Sequence, residues 1–247
     1  MPNTPTEPPV AEQQTASTAS LAGLLTVMQL SDSALPTGAF SHSFGMETYL
    51  QRGSIDSADS YTAWASGYLH QIAYTEGLAV RLTAEAAAHD DHQRIIDIDQ
   101  LLYASAIPKQ IRDAGTSMGQ RMNTIVEMAL PETPALRHYR DAIDNGTCHG
   151  HPAVVFALAT AAAQVSIHEA TAAYLMQLVT SLTQNAIRSI PLGQNAGQKV
   201  LSALRNTVPD VVAVIFTLDD HDLGASAPGL EIAQMMHETQ RARMFMS

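Results

Sequence analysis

From Leu21 onward, apolar side chains recur at three- and four-residue intervals, the signature of helices with one buried face. Tyr61, Trp64, Tyr68 and Ile72 step by three, four and four and so share one face. Ile95, Ile98 and Leu102 repeat the pattern, leaving Arg94, Asp97 and Asp99 for the wetter side. Leu175, Leu178, Leu182 and Ala186 do so again. Start signals fall between these stripes. Ser166-Ile167-His168-Glu169 reads as a capping box ahead of Ala170. Thr133-Pro134 and Ser226-Ala227-Pro228 place proline where a first turn tolerates a missing N–H. Alanine richness within Ala153–Ala163 and Ala84–Ala88 favours helix, because alanine loses no rotamer freedom there. The β-branched run Val211–Phe216 is the one segment of strand character. With no second such run to pair with, its hydrogen bonds would go unmade, so the run predicts a buried helix. No fixed-period repeat marks a solenoid. The pattern predicts an all-α single domain of about ten helices over residues 21–247. Residues 1–20, with four prolines and almost nothing apolar, predict a disordered tail.

Composition narrows the function. A chain of 247 residues suits one large domain and can bury roughly 70% of its unfolded surface. The net charge of −11 disfavours nucleic-acid binding, which depends on Lys and Arg neutralising phosphates, and disfavours anionic lipid. One cysteine excludes an internal disulfide scaffold. The N-terminus lacks the basic region of a secretory signal. The longest apolar stretch, Pro152–Val165, is interrupted by Thr160 and Gln164 and does not predict a membrane span. These features point to the cytoplasm.

Several motifs invite chemical readings. Gly115-Thr116-Ser117-Met118-Gly119 has the form of a hydrolase nucleophile elbow, and Asp141 or Asp210 with His237 would complete a triad in chain order. The residues before it, Pro108–Ala114, are helical in pattern, whereas an elbow needs a strand. Small residues on a helix instead permit close approach. Gly193-Gln194-Asn195-Ala196-Gly197-Gln198-Lys199-Val200 is reminiscent of a phosphate loop, yet Gln198 and Val200 stand where glycine and a hydroxyl are needed, so it predicts a loop leading into a helix. Cys148, His149 and His151 offer a thiolate and two imidazoles, enough for transient Ni²⁺ or Zn²⁺ contact but short of a closed four-ligand site. A nickel-storage protein using these three is therefore a rival reading. His237-Glu238 has the makings of an acid–base pair, but on a terminal helix ending Arg241-Ala242-Arg243-Met244-Phe245 it reads instead as orienting a docking surface. The densest segment is Leu30–Tyr49, where Pro36, Gly38, Phe40, Ser41, His42, Ser43, Phe44, Gly45 and Glu47 crowd together. Aromatics beside hydroxyls and glycines suit a site that another surface approaches closely, and equally suit a helix–turn–helix corner with core phenylalanines.

That segment resembles the N-terminal signature of the UreF family of urease accessory proteins, matching at Ser33, Leu35, Pro36, Gly38, Phe40, Ser41, Ser43, Gly45 and Glu47. Further matches follow in order: Trp64; Ser117-Met118-Gly119 with Arg121; His151-Pro152 before Val154–Phe156; Pro191–Gln194; and Pro228 through Glu231 to His237, Glu238, Arg243 and Phe245. Ala39, Ala157 and Met244 depart from the family pattern. The resemblance implies a non-enzymatic helical scaffold with no cofactor of its own. It implies a UreD-type (or UreH-type) partner, a UreG-type GTPase that the scaffold recruits and modulates, the urease apoenzyme as client for Ni²⁺ and carbon dioxide, and a homodimer within the complex. On this reading Gly38, Phe40, Ser41, His42 and Glu47 lie at or beneath the GTPase surface. His237, Glu238, Arg243 and Phe245 order on the UreD-type partner, and Gln194 and Lys199 lie near a dimer axis or a metal passage.

Overall fold

In the computed structural model, which describes residues 20–247, every regular element is helical. Eleven α-helices follow one another: α1 (Leu21–Leu30), α2 (Met46–Gln51), α3 (Ala58–Ile72), α4 (Leu78–Ala88), α5 (His92–Ser105), α6 (Lys109–Ala129), α7 (Pro134–Asp144), α8 (Pro152–Ala162), α9 (Ile167–Ser189), α10 (Gln194–Ile215) and α11 (Pro228–His237). The all-α expectation holds. The expected tail lies outside the described residues except for Ser20, whose side chain caps α1 by accepting from the Gly23 N–H at 3.1 Å.

Helix α8 is the centre. Every residue from Pro152 to Thr160 is buried, as an all-round apolar helix requires. The stretch that came nearest to a membrane span in the sequence is therefore the core helix, surrounded by α1, α4, α6, α7 and α9. No helix among the described residues is long and apolar enough to cross a membrane. The long pair α9 and α10 packs side by side, with Gly197 admitting the Ile187 side chain. Val211–Val214 and Ile215 complete α10, so the β-branched run is indeed helical, and the predicted Ser166 capping box and the Thr133-Pro134 start are both present. The phosphate-loop-like segment is helical rather than a loop: Gly193 caps α10, and Gln194 through Val200 form its first turns.

Between α3 and α4 the chain does not break but widens into a π-helical turn, Ala73–Gly77. Gly77 lies where a Cβ would come within 2.6 Å of Ile215 Cδ1, so α10 presses directly on this turn. A single-turn π insertion rotates the residues it contains relative to the flanking helices. Here it carries Glu76 to the interior.

Asp99 overturns one expectation. Placed on the wetter side of α5 by pattern, it is instead completely buried. Its carboxylate accepts from Tyr139 Oη at 2.6 Å, the His149 N–H at 2.6 Å and the His151 N–H at 2.8 Å. A desolvated carboxylate persists only when donors replace its water, and these three do so. The result fixes the turn Cys148–His151, and His151 then caps α8 by accepting from the Ala153 N–H at 3.2 Å. Gly119 makes this approach feasible: a Cβ there would lie 1.7 Å from the Gly150 carbonyl oxygen. The Gly115–Gly119 motif thus serves close packing of α6 against a turn.

Gly119→Ala is expected to destabilise the protein by at least about 3 kcal/mol, the upper range for overpacking, because backbone is what the methyl meets. Gly67→Ala, on the exposed face of α3 with nothing within 4 Å, is expected to stabilise by about 0.5–1 kcal/mol. Thermal or urea unfolding followed by circular dichroism checks both signs.

Candidate functional site

The signature segment leaves α1 at Ser31 and reaches α2 through irregular backbone with two left-handed glycines, Gly38 (φ 91°) and Gly45 (φ 93°). Gly45 is required for a second reason: a Cβ would sit 2.9 Å from Gln234 Cγ of α11. A single 3₁₀ turn, Ala39–Ser41, follows Gly38 and projects Phe40 outward, 57% exposed. Four residues later Phe44 is buried, also with a left-handed backbone (φ 52°). The sequence left open whether these phenylalanines belong to core or surface; one takes each role.

The C-terminal segment lies against this loop. After α11 it turns back over α2, and the Met246 N–H donates to the Ser41 carbonyl at 2.7 Å. Ser247 O accepts from the Ser43 N–H at 2.5 Å, the Phe44 N–H at 3.1 Å and Ser43 Oγ at 2.7 Å, while His42 Nδ1 lies 2.8 Å from Ser247 Oγ. Glu47 joins the two segments from within. Its carboxylate accepts from the Met244 N–H at 2.6 Å and the Phe245 N–H at 3.1 Å, and lies 2.8 Å from His237 Nε2. His237 Nδ1 faces Gln110 Oε1 of α6 at 2.9 Å. Thr48 Oγ1 donates to the Ala233 carbonyl at 2.6 Å and accepts from Gln240 Nε2 at 2.8 Å.

His237 and Phe245 are therefore buried and hold the C-terminal segment from within. Glu238 and Arg243 are exposed. Of the signature candidates, His42 and Glu47 are buried beneath the exposed Phe40, with Gly38 and Ser41 half-buried between. Gln194 shares a shallow pocket with Phe40, Asn185 and Arg188, whereas Lys199 is exposed farther along α10 and does not line it. Pattern reading missed Asn185 and Arg188. Asn185 Nδ2 donates to the His42 carbonyl at 2.7 Å; Arg188 donates to the Phe40 carbonyl and to Asn185, and its guanidinium lies 5.4 Å from the centre of the Phe245 ring. An asparagine on the apolar face of α9 was the available signal.

Around this joint lies a run of exposed apolar side chains: Ile232, Met235 and Met236 on α11, then Met244 and Met246, with Phe40 in the facing loop. Beneath it, two cavities with about 100 and 90 Å³ of water-sized space adjoin. Both are lined by Phe44, Tyr68, Glu76, Ile111, Gly115 and His151. One opens toward Gln71, Arg112 and Glu231, the other toward Asp32, Ser33 and Ser181.

The rival chemistries find no geometry. Ser117 is exposed in the middle of α6, with no strand or strained turn before it, and both His237 nitrogens face other partners. Cys148 is buried beside Asp99, and burial first, then that carboxylate, push its thiol up to about 12, away from a ligating thiolate. His149 stacks on Tyr103 with ring centres 3.4 Å apart. These residues are fixed structural elements rather than solvated loop-edge groups. Among the described residues no three His, Cys, Asp or Glu side chains converge to hold a metal.

Burial, then the charges of Arg121 and His237, hold the His42 imidazole below its ordinary 6.5, and burial does the same for His151. Both groups bind a proton less readily folded than unfolded, so stability is full above pH 6.5 and declines as pH falls below it. Urea midpoints at pH 7.5 and 5.5 should show this decline, and His42→Asn, which keeps an acceptor near the Nδ1 position, should flatten it. Glu47→Gln removes the negative acceptor of two backbone N–H groups. It is expected to cost about 2–4 kcal/mol and to speed hydrogen exchange at Met244 and Phe245 at least tenfold.

Comparison with known proteins gives a consistent answer. The UreF family model matches residues 55–205. The urease accessory protein UreF of Corynebacterium efficiens is 46% identical over 224 residues, covering 90% of this chain and 96% of that protein. The Arthrobacter sp. protein of the same name shows the same identity and coverage. That of Lachnoclostridium phytofermentans is 38% identical over 225 residues, 91% of this chain and 98% of its own length.

Proposed function

The chain belongs to the UreF family of urease accessory proteins, and from that membership we propose that it is a scaffold that joins a UreD-type (or UreH-type) partner and recruits and modulates the UreG-type GTPase during nickel insertion into apo-urease. The reading assigns no catalytic residue to the chain. It is carried by one observation above the rest: a joint between two irregular segments, centred on the buried Glu47 carboxylate and His237, displays Phe40 and four methionines to solvent. Large apolar side chains fixed in place at an exposed site are what a docking partner buries.

Two faces meet at the joint. Phe40, pinned through its carbonyl by Arg188, with Gly38, Ser41, His42 and Glu47 at or beneath the surface, forms the GTPase side. Helix α11 and residues 238–247 form the UreD side, where Met235, Met236, Met244 and Met246 supply an adaptable apolar surface bordered by Glu238 and Arg243. His237 and Phe245 act here as anchors that shape this face from within. A homodimer within the complex, with Gln194 and Lys199 near its axis, belongs to the same reading; Gln194 already shares the Phe40 pocket. Modulation of the GTPase requires that the scaffold bind one nucleotide state more tightly than the other, since equal affinities shift no population.

Phe40→Ala should leave the unfolding free energy within about 0.5 kcal/mol of wild type, because the ring is exposed, yet weaken GTPase binding about tenfold or more. Met235→Glu with Met236→Glu should abolish co-purification with the UreD-type partner while GTPase binding to Phe40 is retained. Co-expression pull-downs with both accessory proteins check the pair. Undiminished complexes in both cases would overturn the assignment.

A further inference from the structure

We propose that Phe44 is a gate between the two interior cavities, and that the C-terminal segment sets its position; the second half of this statement rests on the reading of that segment as a partner-docking face. The cavities adjoin across six shared lining residues. Five of the six belong to regular or braced structure. Tyr68 is in α3, stacked on Trp64 at 5.4 Å between ring centres; Glu76 is in the π turn; Ile111 and Gly115 are in α6; His151 is the cap of α8, tied to buried Asp99. Phe44 alone sits in irregular chain. Its left-handed backbone is unfavourable for a residue with a Cβ and persists only because its surroundings impose it.

Those surroundings come from the C-terminal segment. The Phe44 N–H donates to Ser247 O at 3.1 Å, and the Phe44 carbonyl accepts from Gln234 Nε2 at 3.2 Å. Gln234 in turn sits against Gly45, at the position a Cβ would fill. Both backbone groups that fix the ring's direction are thus held by residues of α11 and the strap after it. When a partner draws α11 or the strap outward, these bonds lengthen together, the left-handed strain is released, and the ring swings from between the cavities.

The lining defines what such a passage admits. Tyr68 and Tyr174 are buried, and both line the second cavity with the Glu76 carboxylate and the His151 ring. His151 Nδ1 is occupied by the Ala153 N–H, which leaves Nε2 as the protonated nitrogen. Two phenols, an imidazole N–H and one carboxylate amid apolar walls suit a small hydrated species rather than an apolar ligand or an anion. A cavity of this size holds several waters.

The test uses full-length protein with Cys148→Ser, a reporter Met118→Cys in the second cavity and Ser181→Trp to narrow that cavity's own mouth, so that reagent enters through the first. The rate of modification by 2-aminoethyl methanethiosulfonate is measured. Phe44→Ala is expected to raise it at least tenfold, and Glu47→Gln, which loosens the strap with Phe44 intact, to raise it severalfold. Should Phe44→Ala fail to fold, Phe44→Leu serves with the same expected direction. Rates independent of residue 44 overturn the gate. Rates that respond to residue 44 but not to Glu47→Gln or to added UreD-type partner overturn its control by the C-terminal segment. Loss of partner co-purification is scored separately by pull-down, so a failed docking assignment leaves a distinct signature.

Discussion

A carboxylate removed from water must be met by donors, and at Glu47 every donor comes from residues almost two hundred positions away. This requirement makes the signature segment and the C-terminal segment one structure. Without the backbone N–H groups of Met244 and Phe245 and the imidazole of His237, the Glu47 side chain would be buried and uncompensated. Without Glu47, the chain after α11 would keep only its peripheral polar contacts with Ser41, His42, Ser43, Phe44, Thr48 and Gln51. The exposed phenylalanine and methionines owe their fixed positions to this buried polar joint, since a well-packed apolar interior alone would not specify where an irregular segment lies.

Asp99 applies the same rule on the other side of the interior. Its carboxylate gathers the Cys148–His151 turn, and that turn caps the central helix α8. Two buried acids, each satisfied by backbone N–H groups from distant chain, thus set the two irregular regions that border the cavities. The helices between them provide a rigid frame, and the π turn places Glu76 in it. The arrangement separates labour physically: regular helices carry stability, and irregular segments pinned by buried charge carry the exposed apolar side chains and border the two cavities.

This separation also accounts for the chemistry the protein lacks geometry for. Ser117, His237 and Cys148 looked reactive as isolated residues. In the fold Ser117 is one exposed position of a long helix, His237 is spanned by Glu47 and Gln110, and Cys148 is shielded beside Asp99. The reactive potential of a side chain depends on its neighbours, and here the neighbours of His237 and Cys148 engage or shield them within the fold.

Periodicity, caps and breakers determined the helices, because a helix is a local object: the spacing of Tyr61, Tyr68 and Ile72, the Ser166–Glu169 box and the prolines at 134, 152 and 228 act within a few residues of one another. The order of motifs from Ser33 to Phe245 likewise sufficed for the family. What tertiary structure alone decided was the side of the surface on which each polar or aromatic residue falls. Asp99 and Glu47 are buried because donors arrive from other elements, Phe40 faces out and Phe44 in because the 3₁₀ turn that carries Phe40 gives way to extended backbone at His42, and Asn185 and Arg188 matter because α9 ends beside a loop distant in sequence. Long-range donors, acceptors and cavities have no local period, so nothing in the one-dimensional pattern could have placed them.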